Sequence, residues 1–214
     1  MDALLWDSRV EASGIIVEAI GGKIRLSGFV PYLTTRLIAE EIANSVPGVL
    51  SVINELDVRS PEPAAADKEI QTYIKKVLSR HSSIDATRFD VMAKEGIVSI
   101  KGTVPSYWDK IKAEEFISSV TGVREIINEL AVVPTTDYAD ELIAKRIIDN
   151  LEHNIYTSAE TVTVKVDKGH VTLSGSLPSP GQKISAYNIV RYVKGVKSIQ
   201  NLITVDNVPP DNQI

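Results

Sequence analysis

The stretch Gly169-His170-Val171-Thr172-Leu173-Ser174-Gly175 decides the fold, because its last glycine has counterparts at Gly102 and Gly28. The three glycines lie 74 and 73 residues apart, and four more sets of residues keep the same spacing. These sets are Pro31, Pro105 and Pro178; Ala39, Ala113 and Ala186; Gly48, Gly122 and Gly195; and Asn54, Asn128 and Asn201. A repeat of this length is a small domain rather than one turn of a solenoid. The sequence therefore predicts three copies of one module.

The third copy shows the alternation of a β-hairpin. Val162, Val164 and Val166 alternate with polar residues, and the alternation resumes at Val171. A period of two residues is typical of half-buried strands, and the intervening Asp167-Lys168-Gly169 is a turn in which glycine takes positive φ. The matching positions are Ile15, Val17, Ala19, Ile24 and Leu26 in the first copy and Phe89, Val91, Ala93, Val98 and Ile100 in the second.

A helix follows the shared proline in every copy. In the third copy its apolar residues Ala186, Ile189, Val190 and Val193 stand at positions i, i+3, i+4 and i+7, which lie on one helical face. Gly195 is expected to cap the C-terminus of this helix in the left-handed conformation. The equivalent faces consist of Ala39, Ile42, Ala43 and Val46 in copy one and of Ala113, Phe116, Ile117 and Val120 in copy two.

A third strand completes each copy, and its asparagine shares the parity of the core-facing residues. In the third copy Asn201 stands between Ile199 and Ile203 at alternate positions. Because a buried amide must be hydrogen-bonded, we expect Asn54, Asn128 and Asn201 to clamp the backbone of a neighbouring loop. Contact with a ligand is the alternative for these residues.

Copies two and three carry a further helix before the hairpin, with Asp67 and Asp140 as the expected N-caps. Its apolar stripe comprises Ile70, Ile74, Val77 and Leu78 in copy two and Leu142, Ile147 and Leu151 in copy three. The module is thus α-β-β-α-β, an α+β two-layer sandwich with helices on one face of a three-stranded sheet. We expect the modules at residues 1–58, 66–132 and 138–205.

The first copy lacks most of this helix, because Met1 aligns with Lys75 in the repeat register. Met1 to Trp6 would represent only its end. The apolar surface left uncovered leads us to expect that another module or a second molecule covers it. Cover by a second molecule would make the chain a homo-oligomer through its first module.

Composition excludes several classes of function. The formal net charge of −5 argues against general affinity for nucleic acid, which needs a basic surface. The chain has no cysteine, so disulfides and thiolate chemistry are absent. No apolar run approaches the ~20 residues of a membrane span, and the acidic start does not resemble a signal peptide. As written, the chain is expected in the cytoplasm, whereas a removed signal would place it in the periplasm.

No catalytic, metal or cofactor site is predicted. None of His81, His153 and His170 recurs in all three copies, and no pair of them has the i, i+4 spacing of a helical metal site. The segment from Gly175 to Lys183 has the wrong spacing for a phosphate-binding loop, and its prolines remove backbone donors. Paired acids such as Glu40-Glu41 lie on the exposed side of a helix.

One loop carries candidate contact residues. Tyr32 follows the shared proline of copy one, and Tyr107, Trp108 and Lys110 follow that of copy two, whereas copy three has no aromatic residue there. Aromatic rings beside lysines suit a lipid headgroup layer or a protein partner. The alternative is that the rings pack locally over the helix start. The asymmetry indicates that copies one and two face something that copy three does not, which includes each other.

The segment Gly169–Gly175, the alanine-centred helix and Val193-Lys194-Gly195-Val196-Lys197-Ser198-Ile199-Gln200-Asn201 resemble the BON domain, named for bacterial osmotically inducible and nodulation proteins. Copies two and three resemble it over their full length, and copy one departs from it in the first helix. The resemblance implies a non-enzymatic module of stress-induced and envelope proteins that binds phospholipid surfaces or other envelope components. It supplies no catalytic residues.

We therefore expect a non-catalytic binding or stabilising protein of the bacterial osmotic or envelope stress response, in contact with phospholipid or envelope protein surfaces. The alternative is a cytoplasmic sensor of a small ligand or ion that rearranges its modules. Backbone carbonyls and carboxylates can hold a hard cation without a recognisable motif.

Overall fold

The computed structural model describes residues 12–59, 66–80, 89–154 and 161–206, which we divide into module 1 (12–59), module 2 (66–80 and 89–132) and module 3 (139–154 and 161–206). Module 1 contains a 3-10 turn Ala12–Gly14, β1 Ile15–Ile20, β2 Lys23–Val30, α1 Leu33–Ser45, β3 Ser51–Asn54 and β4 Asp57–Val58. Module 2 contains α2 Asp67–Leu78, β5 Asp90–Lys94, β6 Ile97–Val104, α3 Tyr107–Ser118 and β7 Glu125–Val132. Module 3 contains α4 Asp140–Glu152, β8 Val162–Asp167, β9 His170–Leu177, α5 Pro180–Val190, β10 Ser198–Asn201 and β11 Thr204–Val205.

Each module has one mixed sheet with the second strand in the middle. The first two strands form an antiparallel hairpin, and the chain returns through a helix to add the last strand parallel to the second. In modules 1 and 3 this last strand is split in two, and β4 and β11 continue beside β2 and β9. The α+β class and the repeated α-β-β-α-β module predicted from the sequence are confirmed. Met1 to Trp6, the expected helix end of module 1, lies outside the described residues.

The alanine at the centre of each second helix sets the distance between helix and sheet. Ala39, Ala113 and Ala186 are completely buried, as are Leu26 and Leu173 on the middle strands opposite. A methyl side chain lets the helix backbone approach the sheet closely, and the surrounding branched residues fill the remaining space. None of the helices in the described ranges is long and apolar enough to cross a membrane.

The repeated asparagine binds the second helix to the last strand. Asn128 donates from Nδ2 to the carbonyl oxygen of Lys110 at 3.1 Å and accepts at Oδ1 from the backbone N–H of Leu130 at 3.2 Å. Asn54 and Asn201 make the same pair of bonds in their modules. The carbonyl that each asparagine binds belongs to the first turn of the helix and not to a loop. This bond therefore fixes the start of the helix against the sheet.

Asp67 and Asp140 are not N-caps, which corrects the sequence prediction. The N-cap residues are Ala66 and Ala139, and both aspartates occupy the first helical position. The carboxylate of Asp140 instead accepts from the backbone N–H groups of Lys168 and Gly169 at 2.6 and 2.9 Å. Asp67 binds Glu95 and Gly96 in the same way. These hydrogen bonds join the start of the first helix to the hairpin turn.

Gly28 and Gly48 of module 1 both have positive φ but differ in their surroundings. Gly28 has φ +106°, and a Cβ there would overlap the carbonyl oxygen of Gly14, the last residue of the 3-10 turn before β1. Gly48 has φ +84° but open space around it. It lies two residues beyond the C-cap Val46, and Gly195, the predicted cap of the third copy, lies four residues beyond the C-cap Arg191, so neither glycine is the cap. Of Gly28 and Gly48, only Gly28 combines a backbone conformation that favours glycine with a steric constraint.

The buried side chains form two cores rather than three. Residues of modules 1 and 2 belong to one continuous cluster that includes Leu26, Ile74 and Ile100. Module 3 has its own cluster around Leu173, with Tyr107 of module 2 packed at its edge. Modules 1 and 2 are therefore joined by apolar packing, whereas module 3 depends on other contacts.

We expect Gly28→Ala and Gly48→Ala to separate the two roles of glycine in module 1. Adopting positive φ costs a non-glycine residue about 1–2 kcal/mol, so Gly48→Ala should lower the free energy of unfolding by that amount. Gly28→Ala should cost about 1–3 kcal/mol more, because overlap with the carbonyl oxygen of Gly14 is added. Urea unfolding monitored by circular dichroism measures both. Equal losses would contradict the close approach of Gly28 to the backbone of Gly14.

Candidate contact surface

The second helices of the three modules meet one another, and equivalent residues form all three junctions. Thr34, Trp108 and Gly181 are one repeat position, and Asn44, Ser118 and Arg191 are another. Thr34 Oγ1 lies 3.3 Å from Ser118 Oγ, the Arg191 guanidinium lies 5.3 Å from the Trp108 ring centre, and a Cβ on Gly181 would lie 3.3 Å from the Asn44 carbonyl oxygen. The modules are therefore arranged around an approximate three-fold axis, and the arrangement is closed.

Tyr107 lies at the junction between modules 2 and 3. Its Oη is 2.8 Å from Tyr187 Oη, and the two rings meet edge to face with centres 6.5 Å apart. Burial raises the pKa of Tyr107 well above its usual value, and the hydrogen bond with Tyr187 adds to the shift. The phenol therefore stays protonated under all physiological conditions and acts as a neutral hydrogen-bonding group.

Trp108 is the centre of a cluster at the same junction, which we call the Trp108 cluster (Trp108, Lys112, Glu115, Arg191 and Tyr192). The Trp108 ring centre lies 4.4 Å from that of Tyr192, and the Lys112 ammonium lies 4.5 Å from it. Glu115 pairs with Lys112 at 2.6 Å and approaches Arg191 at 3.9 Å. Cations over an aromatic face are attracted to it, and Glu115 offsets their charge. The cluster joins module 3 to module 2.

The other two candidates from the sequence lie elsewhere. Tyr32 is the N-cap residue of α1, and its side chain is 39% exposed. Lys110 donates from Nζ to the carbonyl oxygen of Leu130 at 2.9 Å, within module 2. The structure thus does not bring Tyr32, Tyr107, Trp108 and Lys110 together. Tyr107 and Trp108 face module 3, and contact of any of the four with an outside partner stays a prediction.

Histidines make ordinary local contacts. His170 Nδ1 lies 2.7 Å from Ser198 Oγ, and His153 Nδ1 lies 2.6 Å from the carbonyl oxygen of Asp149. His81 lies outside the described residues. Within the described ranges, no group of three or more acidic or histidine side chains is placed to hold a metal ion.

The face of each sheet that points away from the helices was missed in the sequence analysis. In module 1 this outer face carries exposed Ile16, Phe29 and Ile53, and in module 2 it carries exposed Met92 and Ile127. The corresponding face of module 3 is mostly polar, with Thr163, Lys165, Thr172, Ser174 and Gln200. The signal was present in the strands, because some of their solvent-side positions carry large apolar residues in the first two copies, whereas those named in copy three are polar.

Arginines surround the apolar residues of the module 1 outer face. The Arg59 guanidinium lies 5.4 Å from the Phe29 ring centre and binds Asp57 at 2.9 Å. Arg124 of module 2 reaches the other oxygen of Asp57 at 3.2 Å. The hydrogen bond from Arg59 lowers the pKa of Asp57, and the bond and charge of Arg124 lower it further. A carboxylate held by two guanidiniums fixes the boundary between the two modules beside Phe29.

The comparisons with known proteins agree with this repeat. The BON domain family model matches the chain three times, over residues 1–60, 66–134 and 139–207. Osmotically-inducible protein Y of Escherichia coli is 29% identical over 133 residues, which cover 60% of this chain and 66% of that protein. The chain thus spans just under two thirds of protein Y. The 21 kDa hemolysin of Actinobacillus pleuropneumoniae is 28% identical over 69% of this chain and 78% of its own length. The outer membrane lipoprotein DolP of Haemophilus influenzae is 29% identical over 59% of this chain and 67% of its own length.

We expect Trp108→Ala to loosen module 3 without unfolding modules 1 and 2. Loss of the Tyr192 stack and of two cation contacts should cost about 1–2 kcal/mol at this junction. Hydrogen exchange resolved along the chain should show faster exchange in α5. Thr34→Ala, the equivalent position at the junction of modules 1 and 2, is the control and should leave α5 protected. Equal exchange of α5 in both variants would contradict the role of the Trp108 cluster.

Alkaline pH should weaken the same junction through Tyr107. The raised pKa of the folded state means that its contribution is present below pH ~10 and is lost as the pH rises further, because the unfolded chain ionises first. The free energy of unfolding, measured in urea between pH 8 and pH 11, should therefore fall less in Tyr107→Phe than in the native chain. Tyr73→Phe, which alters an exposed tyrosine, should behave like the native chain.

Proposed function

The chain belongs to the BON domain family, in three tandem copies, and from this we propose that it is a non-catalytic binding protein of the osmotic or envelope stress response. The names of two relatives point this way, since one is called osmotically inducible and the other an outer membrane lipoprotein. We propose further that the protein contacts phospholipid surfaces through the outer sheet faces of modules 1 and 2.

The observation that carries this proposal is the difference between the outer faces. Phe29 and Ile53 are 53% and 45% exposed beside Arg59 and Arg25. Apolar side chains with arginines beside them match the acyl boundary and the phosphates of a lipid surface. The polar face of module 3 offers no such combination. The lipid surface would therefore contact the outer sheet faces of modules 1 and 2. The contacts among the second helices keep these two modules in a fixed position relative to each other.

The residues shared by all three modules support the non-catalytic part of the proposal. The asparagine binds the helix start, the alanine sets the helix–sheet distance, and Gly28 and Gly175 avoid overlap with the backbone just before the first strand of their modules. Each of these residues is accounted for by packing or hydrogen bonding. The residues shared by the three copies thus maintain the fold of the module. We therefore assign binding to the side chains that differ between copies.

The four contact residues predicted from the sequence have two different roles in this proposal. Tyr32 has an exposed side chain and is the direct contact that we propose among them. Tyr107, Trp108 and Lys110 would act through the arrangement of the modules, since their contacts are with module 3 or within module 2.

We expect the full chain to co-sediment with vesicles of phosphatidylglycerol and phosphatidylcholine at low salt, less at moderate salt, and weakly with phosphatidylcholine alone. Phe29→Ser with Ile53→Ser should reduce binding to anionic vesicles at least tenfold, because about 1.5–3 kcal/mol is available from each buried apolar side chain. Leu202→Ser changes an equally exposed residue on module 3 and should bind like the native chain.

Absence of binding to either vesicle would contradict the lipid proposal and favour a protein partner or the ion-sensing alternative. Scattering curves with and without potassium or calcium would then test that alternative, since a sensor must change its radius of gyration.

A further inference from the structure

The edge strand β1 of module 1 differs from its two counterparts in how it is protected. β1, β5 and β8 each pair with one strand, and in the described part of the chain none has a strand on its other side. Exposed edges are normally blunted by charged residues, above all lysine. The solvent-side residues of the three strands are Ile16, Glu18 and Ile20 in β1, Asp90, Met92 and Lys94 in β5, and Thr163, Lys165 and Asp167 in β8.

Two of the three side chains are charged on β5 and on β8, and both strands include a lysine. On β1 only Glu18 is charged, while Ile16 and Ile20 are 59% and 80% exposed. The edge strand therefore carries protective charged side chains in modules 2 and 3 but only one charged side chain in module 1. Since all three sheets share one topology, the difference lies in the side chains alone.

The two-residue turn determines which backbone groups of β1 are free to pair. Ile20 and Lys23 flank Gly21-Gly22 and face each other across the hairpin. In a two-residue hairpin the flanking residues bond to each other, and the bonding direction alternates along the strand. The N–H and C=O groups of Ile15, Val17 and Ala19 therefore point away from β2, along the open edge.

We propose that β1 of one molecule pairs antiparallel with β1 of a second copy of this chain, with Val17 at the two-fold axis. The outward N–H and C=O groups of Ile15, Val17 and Ala19 in one molecule then bond to those of the same three residues in the other, as a two-fold interface requires. Ile16 lies opposite the partner's Glu18, and Ile15 lies opposite the partner's Ala19. No like charges face each other, whereas a two-fold axis at Glu18 would oppose two carboxylates, which is unfavourable.

The pairing joins the two module 1 sheets into one continuous sheet. Because the axis is perpendicular to the sheet, Ile16, Phe29 and Ile53 of both molecules lie on the same side. The inference rests on the sheet edge and not on the proposed lipid contact, and its tests below contain no lipid.

The first test is sedimentation velocity of the full chain over a range of concentrations, with Ala19→Pro as the disrupting variant. Proline at an edge position removes an outward N–H and leaves the bonds to β2 intact. Two hydrogen bonds are lost per dimer, so we expect the dimer dissociation constant to rise tenfold or more. Ala93→Pro, the equivalent position on β5, is the matched control and should dimerise like the native chain.

The second test measures the register and does not depend on proline. The chain has no cysteine, so Glu18→Cys gives a single site for a nitroxide spin label. In the proposed register the two labelled Cα atoms lie roughly 8 Å apart, from the strand spacing and the rise per residue. Dipolar broadening should appear in the spectrum and vanish on dilution with unlabelled chain. A label on Met92→Cys, the equivalent residue of β5, should show none.

A chain that stays monomeric at all concentrations would overturn the proposal. So would a dimer that keeps its affinity in Ala19→Pro, or one whose Glu18→Cys label shows no broadening, since each outcome places the interface on another surface. Capture of a different protein by the edge in place of self-association would likewise count against it.

Discussion

The structure depends on one constraint, which is that the second helix of each module is covered on two sides. One side packs on its own sheet through a completely buried alanine, and the other meets the second helices of the neighbouring modules. A helix in this position cannot have a simple apolar and polar face. Helices α3 and α5 accordingly have partly or fully buried residues around most of their circumference. The first helices α2 and α4 have one apolar stripe and one exposed side.

The three junctions around this centre use the same two positions with different chemistry. Between modules 1 and 2, two small hydroxyl residues allow close approach, and the apolar cores run together. Between modules 2 and 3, Trp108 and Arg191 keep the helices further apart and replace apolar packing by aromatic and charged contacts. At the third junction Gly181 lets module 3 lie against the backbone of α1. The arrangement thus joins modules 1 and 2 through a shared apolar core and holds module 3 by aromatic, charged and backbone contacts.

The outer faces of the sheets are the surfaces on which the modules can differ. With the helices turned inward, each sheet presents its other face to solvent, and that face is free of the constraints that maintain the module. The apolar residues with arginines on module 1 and the hydroxyl-rich face of module 3 occupy equivalent strands. A change of side chain there alters what the molecule can contact without altering the fold. Binding properties can therefore differ between copies while the buried residues at the repeated positions remain the same.

The sequence by itself determined the module, because glycine, alanine and asparagine at fixed spacing encode local geometry and short-range packing. The period of two in β8 and the i, i+3, i+4, i+7 pattern of α5 were enough to predict both elements. It misjudged Asp140, since a carboxylate one residue inside a helix can bind the helix start or a turn that is 28 residues away. Only the tertiary structure decided what Tyr107 and Trp108 contact. Their partners Tyr187 and Arg191 lie 80 and 83 residues further along the chain, and no local pattern reports how one module packs on another.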